Sequence, residues 1–399
     1  MDFGSMLNKL KRDAAAVTAS NGNSTSSSNR NGSINRKRAK VDSASASKST
    51  SVSNAEFPKK KVQTIYLVTP PNVQTGGPEA MHQLCDKINS DEASNVSAFM
   101  LYVEDRMEKA KFVKNAKMIA AYEIYHNVRI CKSLDDIDPS SSLVIWPECW
   151  THLIDSLPLE ESDETYQKCI WWLSVDNNNG KFRNWSRRDI IHLYQSEYAK
   201  NYIEKNLLKS KKSGEDMKTI TSNQVLPMTE FIPMRQDPKQ AEHLSLEHNI
   251  VFNPLKGIHY TDAIRKRSEA KFKFTAIGEK KRLSPSEVTT LLHQAKVYID
   301  FGPHPGMDRL PREAAIANCI VITNKEGAAF YKEDVPILEK YKIAKFDVDT
   351  VHRLLKESIE NYDEKKNDFD QYREWIASQE ETMKSCVSRF IHHVSVSRS

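Results

Sequence analysis

The sequence contains no C-x-x-C pair. Its six cysteines (Cys85, Cys131, Cys149, Cys169, Cys319 and Cys386) are scattered over 399 residues. This usage argues for reduced thiols and against a structural zinc. No run of about 18 apolar residues occurs, so no membrane span is expected. An apolar h-region near the first residue is missing, which argues against a secretory signal. No unit recurs with a period of about 20 to 50 residues, which removes solenoids and propellers. Positive charge is scarcer than the net +5 implies. Residues 1–61 hold 12 Lys and Arg against 4 Asp and Glu, and the other 338 residues hold 46 against 49. The body of the chain is mildly acidic and offers no global field for nucleic acid.

What is present begins with a tail. Residues 1–61 are rich in Ser, Asn and Ala and basic in balance, and they bury too little apolar surface to offset chain entropy, so disorder is expected. Two basic clusters, Arg36-Lys37-Arg38-Ala39-Lys40 and Pro58-Lys59-Lys60-Lys61, resemble a nuclear localisation signal,. Residues 36–61 could engage an import receptor or serve as a solubilising basic linker. The expected localisation is cytoplasmic or nuclear. An organelle transit peptide is the third reading, opposed by Asp2 and Asp13,.

From Val62 onward the pattern is alternating strand and helix. Residues 64–69 form a near-continuous apolar run, as expected of a strand buried on both faces of a parallel sheet. A loop with Gly76-Gly77-Pro78 follows, then a helix to 89. Further strands are expected at 96–103, 143–146, 169–175 and 190–195, with a polar helix at 104–119 and another helix at 201–212. Glu148, Asp176, Asn177 and Glu197 stand at the carboxyl ends of strands, either lining a cleft or capping helices. His82 reads as a packed helical histidine. A polar, Pro-bounded stretch at 234–239 marks a domain boundary. Beyond it come strands at 248–252 and 272–277 and a helix at 258–268. A helix at 285–295 opens on a Ser284/Glu287 capping box, and helices at 347–362 and 370–394 close the chain. The expected fold class is α/β, with two Rossmann-like domains facing across a cleft and a disordered tail before them. The domains are 62–234 and 235–375, with a helix at 376–399 packing back on the first.

Residues 297–323 hold the densest chemistry. An apolar strand runs into a turn-rich loop with Gly302, Pro303, Pro305 and Gly306. His304, Asp308, Arg309, Arg312 and Glu313 crowd that loop, and an alanine-rich helix and a second strand follow. In such a βαβ unit, ligands bind at the strand's carboxyl end, near the helix N-terminus.

Thr75-Gly76-Gly77 in the first loop and Lys256-Gly257 in the first loop of the second domain are two parts of a known pattern. Phe301-Gly302, Glu313-Ala314-Ala315 and Cys319-Ile320-Val321-Ile322-Thr323 complete it. Over residues 62–390 the chain resembles the GT-B glycosyltransferases, in particular the large retaining group that uses nucleotide-sugar donors. It looks closest to a set with an H-P-G-x-D-R-x-P-R-E-A-A loop. The resemblance implies that Glu313 accepts hydrogen bonds from the nucleotide ribose and that Lys256 neutralises the diphosphate. Gly76 and Gly77 would let backbone approach the donor, with Glu326 and Gly327 near the base or phosphates. No metal and no resident cofactor is implied, the donor being UDP- or GDP-sugar and the acceptor unspecified. Two departures stand out. The group's first glutamate would fall at Pro305, so Asp300, His304 or Asp308 substitutes. Its arginine before Lys-Gly is absent, so Arg309 or Arg312 supplies the second cation or instead ties the loop down by salt bridges. The alternatives to a transferase are a degenerate GT-B binding module and a GT-B epimerase or phosphorylase.

Overall fold

The computed structural model describes residues 61–158, 166–183, 185, 187, 189–212, 224–233, 244–268, 271–279 and 281–395. The expectations for residues 1–60, their basic clusters included, and for the boundary at 234–239 lie outside the described residues.

Two sheets carry the fold. The first runs β3–β2–β1–β4–β5–β6–β7. Its strands are β1 (Thr64–Thr69), β2 (Ser97–Arg106), β3 (Lys109–Phe112), β4 (Ser142–Pro147), β5 (Gln167–Trp172), β6 (Ile190–Tyr194) and β7 (Val225–Pro227). All neighbours pair in parallel except β3, which returns antiparallel on β2. The second sheet runs β12–β11–β10–β8–β9 and is parallel throughout. Its strands are β8 (His248–Phe252), β9 (Phe274–Ala276), β10 (Ala295–Asp300), β11 (Ile320–Asn324) and β12 (Lys342–Ile343).

The near-continuous apolar strands are buried on both faces, as parallel strands between helical layers must be. Along β1, Ile65 and Leu67 enter one core, while Tyr66 and Val68 enter the core on the opposite face. The longer helices among the described residues are α1 (Gly76–Asn89), α2 (Glu197–Lys212), α3 (Ile258–Arg267), α4 (Pro285–His293), α5 (Arg309–Ile316), α6 (Val348–Glu360), α7 (Asp370–Ala377) and α8 (Gln379–Ser395). α4 opens on the expected capping box, with both Ser284 and Glu287 bonds made,.

Three local expectations are corrected. The helix expected at 104–119 does not form. Met107 and Glu108 take positive φ (54° and 63°) in a two-residue hairpin that starts β3, and Asp105 accepts from Glu108 N at 3.0 Å,. The strand expected to reach 175 ends at Trp172, because Leu173 N turns to the Glu148 carboxylate at 3.1 Å. The long closing helix is broken at Ser378, whose hydroxyl donates to the Trp375 carbonyl at 2.8 Å and competes with the helical ladder,. After the break, α8 crosses to the first sheet. Phe390, Ile391 and Val387 share a core with Leu84 and Ile88 of α1. Lys87 pairs with Glu380 at 2.7 Å, and Val62 N donates to the Val394 carbonyl at 3.3 Å.

Strand order reverses between β1 and β4 in the first sheet and between β8 and β10 in the second. In open α/β sheets such reversals open the crevices where ligands bind. The Gly76-Gly77 loop and Glu148 flank the first reversal. Lys256 and the 301–308 loop flank the second.

Candidate functional site

The two loops at the second reversal touch because glycine lets them. Gly257 has φ +55°, and a Cβ there would lie 2.5 Å from the Phe301 carbonyl oxygen; one at Gly302 would lie 2.5 Å from Lys256 Cβ,. The contact sets Lys256 beside a chain of titratable groups. Tyr298 donates to Asp300 Oδ2 at 3.0 Å, and Gly302 N donates to Asp300 Oδ1 at 3.2 Å. His304 Nε2 lies 4.0 Å from Asp300 Oδ1, its Nδ1 lies 2.8 Å from Asp308 Oδ2, and Lys256 Nζ lies 2.5 Å from the same Asp308 oxygen.

Burial would lower the His304 pKa, but the hydrogen bond to Asp308 and the charge of Asp300 outweigh it and raise the pKa above its usual value,. Burial pushes the other way on Asp308, where the His304 bond and the Lys256 charge prevail and hold its carboxyl below the usual range. On Asp300 burial wins, and its pKa is raised despite His304 and Lys256. The ligand atoms of Asp300, His304 and Asp308 all lie within 4.8 Å of one another, a spacing a divalent ion could bridge. The Lys256 ammonium on Asp308 already supplies positive charge there.

The arginines face the other way, toward the first sheet. Arg312 is 1% exposed; its Nη2 donates to the Met307 carbonyl at 2.6 Å and to Glu230 Oε1, and its Nε donates to the Asp308 carbonyl at 3.2 Å. Arg309 Nη1 donates to Glu230 Oε2 at 2.9 Å, with Glu79 and Glu313 carboxylates each 3.5 Å from the same guanidinium. Burial would lower the Arg309 pKa, but Glu230, Glu79 and Glu313 together raise it. Both arginines thus form internal ion pairs, and one carboxylate, Glu230, yokes them. Gln195 completes the joint by donating to Glu230 at 3.2 Å and accepting from Met307 N at 3.3 Å. Backbone bonds run alongside, with Val175 N donating to the Pro305 carbonyl at 2.9 Å and Glu197 N to Asp334 at 2.7 Å. The candidate loop is therefore docked across the seam between the sheets.

The remaining candidates are spread around this centre. Glu313 is half-buried on the second turn of α5, with its carboxylate toward Arg309. Glu326 is exposed, and Gly327 packs on the His304 carbonyl. Gly77 has open space where a Cβ would stand, whereas a Cβ on Gly76 would lie 2.9 Å from Arg309 Cδ. Pro305, where the resembled group carries its first glutamate, gives its carbonyl to Val175. His82 is packed, with Nδ1 2.7 Å from the Pro78 carbonyl and Nε2 2.9 Å from the Tyr102 hydroxyl.

Among the strand-end carboxylates, Glu197 is half-buried beside Lys200, and burial raises the Asp176 pKa although Tyr198 bonds to it. Glu148 is buried, and burial pushes its pKa from 4.5 up to about 7. The folded chain holds that proton more tightly than the unfolded chain does. Stability is therefore expected to fall as pH rises from about 4.5 to about 7,. Thermal unfolding across that window should lose part of its slope in Glu148→Gln, and an unchanged slope would discount the carboxyl.

Glu79, Glu230 and Gln195 were not singled out from the sequence. One signal was available for Glu230, a lone charge inside the short apolar piece Leu226 to Pro233. A charge that a strand-end apolar run buries needs a partner.

No family model matches the chain, and no curated protein matches it. Solved structures do. The Anabaena protein HepE, solved in complex with UDP-glucose, superposes at TM-score 0.55 with 10% identity, over 82% of this chain and 99% of its own. A glycosyltransferase from Rickettsia africae superposes at TM-score 0.54 with 10% identity, over 84% of this chain and 98% of its own. The chain has the GT-B fold. TarM is matched at TM-score 0.46 with 13% identity, and the chain spans 55% of its length. No helix among the described residues is long and apolar enough to cross a membrane.

Proposed function

We propose that this GT-B protein is a glycosyltransferase that moves a hexose-type sugar from a UDP- or GDP-sugar to a hydroxyl acceptor with retention. The observation that carries the reading is the pair of Lys256, on the loop after β8, and Glu313, on α5 after β10, at the second sheet's reversal, beneath a fold shared with sugar-transferring proteins. The Lys256 ammonium would meet the diphosphate, whose charge grows as the sugar departs, and Glu313 would accept from the ribose hydroxyls. His304 and Asp308 would stand in for the missing first glutamate against the sugar, with Asp300 orienting His304. No metal takes part: Lys256 supplies the charge a cation would bring. Acceptor would enter from the first sheet, and seating of the 301–308 loop would exclude water.

A thermal-shift screen with UDP, GDP, ADP and TDP and their sugars tests the donor class, because a bound ligand raises apparent stability by mass action. Glu313→Gln is expected to lower kcat/KM for the donor by about 10- to 100-fold. Lys256→Ala should act at least as strongly, mostly through kcat. Wild-type rates in both variants would remove the site assignment.

A second reading is favoured by one observation: Pro305 replaces the first glutamate, and its carbonyl is spent on Val175. In that reading the chain binds a nucleotide sugar without turning it over, and its tail, through residues 36–61, engages an import receptor. Nucleotide binding without transfer would support it.

A further inference from the structure

The loop arginines carry more carboxylate than they can neutralise. Arg309 faces Glu230, Glu79 and Glu313, and Arg312 shares Glu230. Glu230 is 2% exposed and Glu79 6%. Two carboxylates therefore sit in the seam against the cations nearest the Gly76 loop, where the Arg309 side chain packs against Gly76 itself. Buried carboxylates and phosphates compete for guanidinium through the same paired N–H geometry. The arrangement has spare donors: Arg312 Nη1 is buried with no hydrogen-bond partner, and Arg309 Nη2 has only the 3.5 Å approach of Glu79.

We propose that Glu79 and Glu230 are place-holders for the donor diphosphate: an intramolecular carboxylate latch that closes the loop on the first sheet until phosphate takes Arg309 from it. The proposal rests on the donor reading above. Two features favour exchange at Arg309 over Arg312. Arg309 keeps 15% side-chain exposure and its contacts to Glu79 and Glu313 are long, whereas Arg312 is 1% exposed and bound to two backbone carbonyls. Arg312 then remains on Glu230 as the hinge pin while Arg309 swings to the phosphates over Gly76. Glu79 does not lose its place when released, because Tyr125 donates to it at 2.7 Å.

The test is calorimetric titration of the full chain with UDP, GDP and inorganic pyrophosphate, comparing wild type, Glu79→Gln and Arg309→Ala. Glu79→Gln keeps an acceptor for Tyr125 and removes only the charge, so the fold should persist, which circular dichroism and the unfolding temperature report. The latch predicts that Glu79→Gln tightens nucleoside diphosphate and pyrophosphate binding by about tenfold, while Arg309→Ala weakens it by a similar factor. Loop 303–308 should also exchange amide hydrogen faster in Glu79→Gln. Binding that is unchanged or weaker in Glu79→Gln, with wild type binding normally, overturns the latch and leaves the donor reading standing. Absence of binding by all three proteins removes the donor reading and the latch together.

Discussion

Replacing Arg312 by alanine is expected to destabilise the folded chain by about 3–5 kcal/mol, the cost of leaving a buried partner charge behind. Glu230 would stay in the seam at 2% exposure, and the Met307 and Asp308 carbonyls would each lose a donor. Urea unfolding followed by tryptophan fluorescence would read the loss, since Trp171 and Trp172 lie in the cores of the first sheet. The informative comparison is the double variant. If Arg312 and Glu230 form one unit, Arg312→Ala with Glu230→Gln should cost much less than the sum of the single changes. Additive costs would mean that Arg312 acts through its backbone contacts alone.

Gly306→Ala is expected to cut turnover on the order of 100-fold while sparing the fold of each sheet. A Cβ at 306 would lie 1.8 Å from the Leu173 carbonyl oxygen, which is backbone and has nowhere to go. The loop must lift, and the bonds from Val175 N to Pro305 and from Met307 N to Gln195 must break with it. His304 and Asp308 would shift by about an ångström or more, enough to cost on the order of 100-fold in turnover. Sugar transfer measured with the donor identified by the thermal-shift screen would read that loss. Hydrogen exchange should show loss of protection at 173–175 and 303–308 and little change along β1 or β10. Full activity in this variant would mean that docking of the loop on the first sheet has no part in the reaction.

The sheet architecture was legible because its signals are local. Residues 64–69 and 248–252 read as buried strands and form β1 and β8 with the same bounds, and Ser284/Glu287 read as a capping box and make it. Short-range signals misled where they were ambiguous. Residues 104–119 carry helix-favouring charge, yet a two-residue turn with positive φ at Met107 and Glu108 folds them into a hairpin. The stretch 301–313 was legible as a concentration of ionisable side chains on a Pro- and Gly-constrained backbone.

What each ionisable group faces could not be read along the chain. Arg309 and Arg312 suited a phosphate clamp or a salt bridge equally well, because a guanidinium binds either anion with the same geometry. The carboxylates that face Arg309 are Glu79 and Glu230, which lie 230 and 79 positions from it in the chain and meet it only when the two sheets close. The sequence by itself determined two α/β halves and a loop loaded with charge, since burial periodicity and turn chemistry act over a few residues. Only the tertiary structure decided that the loop's cations are neutralised from the opposite sheet, because pairing of buried charge depends on which surfaces meet.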